Sequence, residues 1–242
     1  MSIWGKIAGV AAGFAFGGPI GALVGGVAGH FAVDHEKTGD GEGKSQSDQV
    51  AFTVGVIALG AKMAKADGVV TADEVIAFKE VFKVPEGEMK NVARVFDLAK
   101  QDVAGYEAYA DQLAKIFRNN KDLLRDVLEG LFHIAKADGI IHPNEEDFLI
   151  EVSRRFGFSE TEFKYTMARH IQTSERCPYD VLEVSREISD ADLKKHYRKL
   201  VMENHPDKLV SRGVPEEFVK LATDKLAAIN EAYDEIAKER GL

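Results

Sequence analysis

Apolar positions follow two regimes along the chain. From Ile7 to Val33 they run on without an Asp, Glu, Lys or Arg, whereas beyond residue 50 they recur every three or four residues between charged ones. The second pattern is the period of amphipathic helices. It predicts helices over Val54 to Ala64, Met89 to Lys100, Tyr106 to Asn119 and Leu124 to Ala135. Nearer the end, a short apolar element (Tyr179, Val181, Leu182, Val184) precedes Ser189, an N-cap with Asp192 three residues on, and a helix to about Asn204. Leu193, Tyr197, Leu200 and Val201 form one stripe of that helix, and Lys194, Lys195, Arg198 and Lys199 form the opposite one. A last helix, near Glu216 to Glu239, carries Phe218, Leu221, Leu226, Ile229, Ala232, Tyr233 and Ile236 at helical spacing. Ala, Leu, Lys and Glu are common here and Pro is scarce, so the fold class is all-α.

The first regime predicts a membrane anchor over residues 1–33. As a helix it would be roughly 40 Å long, against about 30 Å of hydrocarbon. Gly9, Gly13, Gly17, Gly21, Gly25 and Gly29 recur every fourth residue, which lines one helix face with bare backbone. Such a groove lets a second copy approach closely, so a homodimer through the membrane helix is expected. Pro19 requires only a local kink. Two other readings compete. A soluble tail is favoured by the helix propensity lost at so many glycines, and a secretory signal is disfavoured by an apolar run longer than usual for one. Lys6 lies on one side of the run and Lys37 and Lys44, among acids, on the other, so charge does not set the orientation. Residues 34–48, rich in Gly, Ser and charge, read as a flexible tether.

Residues 49–171 carry an internal repeat. Ala64-Lys65-Ala66-Asp67-Gly68 followed by Val69-Val70 returns as Ala135-Lys136-Ala137-Asp138-Gly139 followed by Ile140-Ile141. Each copy closes an apolar helix at a glycine suited to the left-handed conformation and restarts another. Thr71 with Glu74 makes a capping box, and Pro143 with Glu145 and Glu146 makes a favourable first turn. Aligning the turns with a calcium-binding loop puts Met63 and Lys65, or Ile134 and Lys136, where its first carboxylates belong, so neither copy is an EF-hand. The repeated segment resembles the TerB family, helical domains associated with tellurite resistance. That resemblance implies divalent-metal ligands at Asp67, Glu74, Asp138 and Glu145, with Asp73 and Glu146 beside them. Each of these also suits a cap or a first-turn carboxylate, and His142 and His133 read as a turn residue and a core-side ring.

Charge and cysteine content narrow the partners. A net charge of −9, with no extended basic run, argues against nucleic acid. Cys177 is the single cysteine, so neither an intrachain disulfide nor a cysteine-rich zinc module can form. No nucleophile stands beside a paired base, so a hydrolase is not expected.

The strongest motif lies in residues 172–242. His205-Pro206-Asp207 follows the basic helix, and Pro206 ends that helix by lacking a donor and restricting the residue before it. Together with Tyr179-Asp180-Val181-Leu182, Lys195-His196-Tyr197-Arg198-Lys199-Leu200 and Ile229-Asn230-Glu231-Ala232-Tyr233, this resembles the J-domain of DnaJ co-chaperones. The resemblance implies no enzyme activity of its own but stimulation of the ATPase of a DnaK-type chaperone. Lys194, Lys195, Tyr197, Arg198 and Lys199 would dock on that partner, and His205, Pro206 and Asp207 would trigger hydrolysis in it. Phe218, Asn230 and Tyr233 would hold the two long helices together as an antiparallel hairpin with the tripeptide at its tip. No Gly/Phe-rich or zinc module accompanies the motif, which departs from DnaJ.

The order of anchor, TerB-like part and J-domain resembles the membrane-anchored DnaJ-like co-chaperones of Gram-negative bacteria. It implies a single-pass protein of the inner membrane with both folded parts in the cytoplasm, where its chaperone partner resides, and a link to envelope or capsule signalling through an unnamed client. No cofactor is implied beyond the divalent metal. The alternative is a metal or stress sensor whose bundle gates the J-like module.

Overall fold

The computed structural model describes residues 18–28, 40–67, 89–101, 105–137, 139–171, 176–212, 214–215 and 219–242. Among these residues all regular structure is helical. The helices are α1 (Gly18–Ala28), α2 (Asp40–Asp67), α3 (Met89–Gln101), α4 (Tyr106–Ile116), α5 (Lys121–Ala135), α6 (Pro143–Arg155), α7 (Glu160–Ala168), α8 (Pro178–Val181), α9 (Asp190–Glu203), α10 (Pro206–Arg212) and α11 (Val219–Arg240).

α2 is the shaft of the first unit. Every residue from Val50 to Ala64 is buried, a state open to a helix only when neighbours cover it all round. α1, α3, α4, α5 and α6 do so. α2 and α4 meet so closely at Gly55 that a Cβ there would lie 2.6 Å from Leu113 Cδ2, so a larger residue would have to displace the Leu113 side chain. The amphipathic pattern anticipates this helix from Val54, but it starts at Asp40 and takes in most of the expected tether. Asp40 and Glu42 suit the positive end of a helix, and the burial downstream offsets the ~1 kcal/mol that each of Gly41 and Gly43 costs.

Only α1 of the expected anchor is described. Gly18, at φ +71°, opens it, Ile20 and Leu23 are buried in the bundle core, and Gln112 Oε1 accepts a hydrogen bond from Ile20 N–H at 2.9 Å. Among the described residues no helix is long and apolar enough to cross a membrane. Gly21 and Gly25 fall within α1, and Gly9, Gly13, Gly17 and Gly29 lie outside the described residues.

α5 to α7 complete the bundle, with caps written in the sequence. The Asn120 side chain accepts from Leu123 N–H at 3.1 Å to start α5. Ser159 and Glu162 exchange hydrogen bonds at the start of α7, the reciprocal box that satisfies two otherwise unpaired donors.

A second core is built by α8, α9 and α11, which enclose Tyr179, Val181, Leu182, Leu193, Leu200, Ile229, Ala232 and Ile236. The end of α11 is tied back to the start of α9, because Arg240 donates to Ile188 O at 2.8 Å, Asp190 Oδ1 at 2.9 Å and Arg186 O at 2.7 Å. Arg176, 9% exposed, pairs with Glu231 at 2.7 Å and Glu235 at 3.2 Å from the other flank of α11. The two cores do not divide the chain where the sequence motifs do. Leu209, Val214 and Ala222, which follow the tripeptide, belong to the bundle's core.

Candidate functional site

The tripeptide sits where α9 stops. Asn204, buried, caps α9: its backbone N–H reaches Leu200 O at 3.0 Å and its side-chain amide the same oxygen at 2.8 Å. Pro206 then does more than end a helix, for it occupies the first position of α10, where a missing N–H costs nothing. The periodicity does not predict this short helix, since a proline read as a stop hides a start.

His205 and Asp207 face solvent, their side chains 55% and 94% exposed. His205 Nδ1 accepts from Asp207 N–H at 3.3 Å, which leaves Nε2 as the ring's donor. The Asp207 carboxylate, 3.7 Å from the ring, has no buried partner in this arrangement. The motif is thus a presented group: an exposed imidazole and an exposed carboxylate at the junction of two helices.

Lys194, Lys195, Arg198 and Lys199 are all exposed along the face of α9 that leads to the tripeptide. Lys199 meets Glu203 at 3.7 Å, with the two side chains 65% and 50% exposed. Such an exposed pair contributes little and is easily exchanged for a partner's carboxylate. Tyr197, on the same helix, is held within the domain. Its ring stacks on Tyr233 with centroids 4.0 Å apart, and its hydroxyl donates to Asn230 Oδ1 at 2.9 Å. These contacts fasten α9 to α11, the role expected of Asn230 and Tyr233. Phe218 lies outside the described residues.

Of the metal candidates, only Glu145 has its side chain among the described residues. Glu74 and Asp138 lie outside the described residues, and of Asp67 only its place at the end of α2 is given. Glu145 is buried at the start of α6, where its Oε2 accepts from His142 N–H at 2.9 Å. That is a helix cap. Among the described residues no group of three His, Cys, Asp or Glu is placed to hold a metal.

What the sequence does not reveal is a buried charge cluster between the bundle and the tripeptide-bearing unit. Glu129 on α5, 6% exposed in its side chain, receives Arg169 at 2.7 Å, His170 Nε2 at 2.6 Å and Lys225 of α11 at 3.0 Å. One turn earlier, Asp126 receives Arg212 of α10 at 3.1 Å. Arg169 also holds Glu183 at 2.9 Å, a residue with φ +59° just beyond α8, where non-glycine backbone is costly. The two carboxyls respond oppositely to burial. Burial pushes Asp126 up to about 6 against the pull of Lys225 and Arg212. For Glu129 the cations outweigh burial, Arg169 and Lys225 foremost, and its carboxyl stays well below its ordinary value. Burial pushes His170 down to about 4; it is therefore neutral and donates to Glu129. Asp126 and Glu129 lie in a stretch read from sequence as apolar helix with a solvated side, and no local signal distinguishes a buried acid from an exposed one.

Three family models match successive parts of the chain. Residues 1–47 match the model of the Co-chaperone DjlA transmembrane domain, residues 53–168 that of Tellurite resistance protein TerB, and residues 177–240 that of the DnaJ domain. Among curated proteins, Co-chaperone protein DjlA of Photobacterium profundum is 31% identical over 84% of this chain and 83% of its own. The proteins of that name from Legionella pneumophila and Coxiella burnetii are 28% identical (82% and 80% covered) and 30% identical (74% of each). No solved structure matches the chain.

Proposed function

Because this chain belongs to the DjlA family of J-domain co-chaperones, we propose that it recruits a DnaK-type chaperone to a membrane and triggers ATP hydrolysis in that partner. The observation that carries the reading is the exposed His205-Pro206-Asp207 corner at the end of an exposed row of cations. The cations Lys194, Lys195, Arg198 and Lys199 steer an acidic partner surface into register. The tripeptide then engages polar groups of the partner by hydrogen bonding and charge. Asp207 acts as an acceptor there, and the chemistry stays in the partner.

In this proposal residues 1–47 hold the protein in the inner membrane as a single pass, with the bundle and the J-domain on the cytoplasmic side, and glycines spaced by four, Gly9 to Gly29, pair two anchors. A span that uses residues 18–28 must leave the seat α1 occupies on the bundle, since Ile20 and Leu23 cannot be buried in both. The bundle would supply the client or the envelope signal. No observation favours the metal-sensor reading over this one.

Vesicle flotation tests recruitment. With the full chain reconstituted in phosphatidylethanolamine and phosphatidylglycerol vesicles, a DnaK-type chaperone with ATP is expected to float with the lipid. It should stay at the bottom of the gradient with His205→Gln. Equal flotation with both proteins contradicts the proposal.

A further inference from the structure

The seven residues of α10 immediately follow His205. A helix so short is not stable alone in water, where about 12 residues or more are needed even for good sequences. Its conformation is therefore set by what it packs on, and that is the bundle. Leu209 is 4% exposed, Val214 and Ala222 are 1% exposed, and all three join the bundle core rather than the core of α8, α9 and α11. Arg212 closes the contact twice: its guanidinium reaches Asp126 at 3.1 Å, and its carbonyl accepts from the Asn120 side chain at 3.3 Å. Lys225 on Glu129 fixes the first turns of α11 at 3.0 Å.

We infer that Asp126 and Glu129 of the TerB-like bundle are positioning residues for the trigger: through Arg212 and Lys225 they hold α10 and the start of α11, and so fix the direction in which His205 and Asp207 are presented. The inference rests on the co-chaperone reading above. The contact lies on one side of the J-domain and leaves the other free. Lys194, Lys195, Arg198, Lys199, His205 and Asp207 are all exposed while the bundle is docked. A masking role would require some of these to be covered. Docking here is a support for the loop, and it makes the bundle part of the stimulating machinery.

The test uses the full chain with Arg212→Gln and Lys225→Gln combined, and ATP hydrolysis by a DnaK-type chaperone in single turnover across a range of co-chaperone concentration. The maximal stimulation is expected to fall by roughly fivefold or more. The half-saturating concentration, set by the untouched basic face, should move by less than about twofold. Amide exchange over 206–225 should accelerate in the same protein, and Arg212→Lys should restore most of the loss. Full stimulation despite accelerated exchange overturns the inference, and stimulation above wild type overturns it in favour of a masking contact. If the double variant does not fold, Asp126→Asn, which keeps shape and removes only the charge, gives the same reading. His205→Gln in parallel separates the two failures: if it too leaves stimulation intact, the co-chaperone reading falls and not merely the support.

Discussion

Two sets of charged side chains flank the same loop and live under opposite rules. On α9, Lys194, Lys195, Arg198 and Lys199 are solvated. On the far side, Arg212, Lys225, Asp126, Glu129 and Arg169 are desolvated or nearly so, with Arg169 2% and Lys225 10% exposed in their side chains. Exposed charges cost the fold nothing and act at a distance, with a strength that salt controls. Buried ones are costly unless fully paired, and once paired they fix geometry. On the proposed function, one set attracts a partner and the other holds still the group that acts on it.

The largest effect sought in this comparison is on activity without stability. Asp207→Asn should abolish stimulation, yet with the side chain 94% exposed its unfolding free energy should stay within ~0.5 kcal/mol of wild type in urea titration. The reverse is expected of Glu129→Ala, which takes from Lys225 its carboxylate at 3.0 Å and leaves Arg169 with Glu183 alone. With Arg169 still held by Glu183, it should lose ~3 kcal/mol by the same titration, and a loss as small as that of Asp207→Asn would mean the cluster is wetter than its burial implies.

Acidity separates His170 from Asp126. Folded His170, pushed down to about 4 by burial, refuses a proton that the unfolded chain accepts below its ordinary 6.5, so stability falls as pH drops from about 6.5 to about 4. Folded Asp126, pushed up to about 6 by burial, accepts a proton that the unfolded carboxyl takes only near its ordinary 3.8. Its contribution is complete below that value and is lost as pH rises through about 6. The two trends offset each other over pH 4–6. In Asp126→Asn the compensation is gone, and thermal melts should show a steeper loss on acidification than wild type. Parallel profiles would contradict the assignment.

Smaller effects lie on α9. Lys194→Ala with Lys195→Ala should weaken half-saturation and flatten its dependence on salt, leaving the plateau in place. Tyr197→Phe should cost about 1 kcal/mol, the worth of its hydrogen bond to Asn230, with the stack on Tyr233 kept; a lost plateau instead would return Tyr197 to the docking surface.

How much of this was legible beforehand follows from what local pattern can encode. The 3.6-residue period places α3, α5, α9 and most of α11, and Ser189, Pro143 and Asn204 mark ends that geometry bears out. The tripeptide was legible because its function needs named residue types in fixed order. Tyr197 stands on the border of a stripe, where a residue can turn either way, so its stack on Tyr233 was not legible. Glu145 resembled a ligand because a capping carboxylate and a metal carboxylate have the same sequence signature. The buried cluster was illegible for a deeper reason: Asp126, Glu129, Arg169, Arg212 and Lys225 are brought together by the docking of two units far apart in sequence.

The most direct measurement is single-turnover ATP hydrolysis by a DnaK-type chaperone at saturating full-length co-chaperone, wild type beside His205→Gln, with melting curves of both. An accelerated rate for wild type, the unassisted rate for the variant and coincident melting are the predicted results. Equal rates from two equally folded proteins would contradict the account.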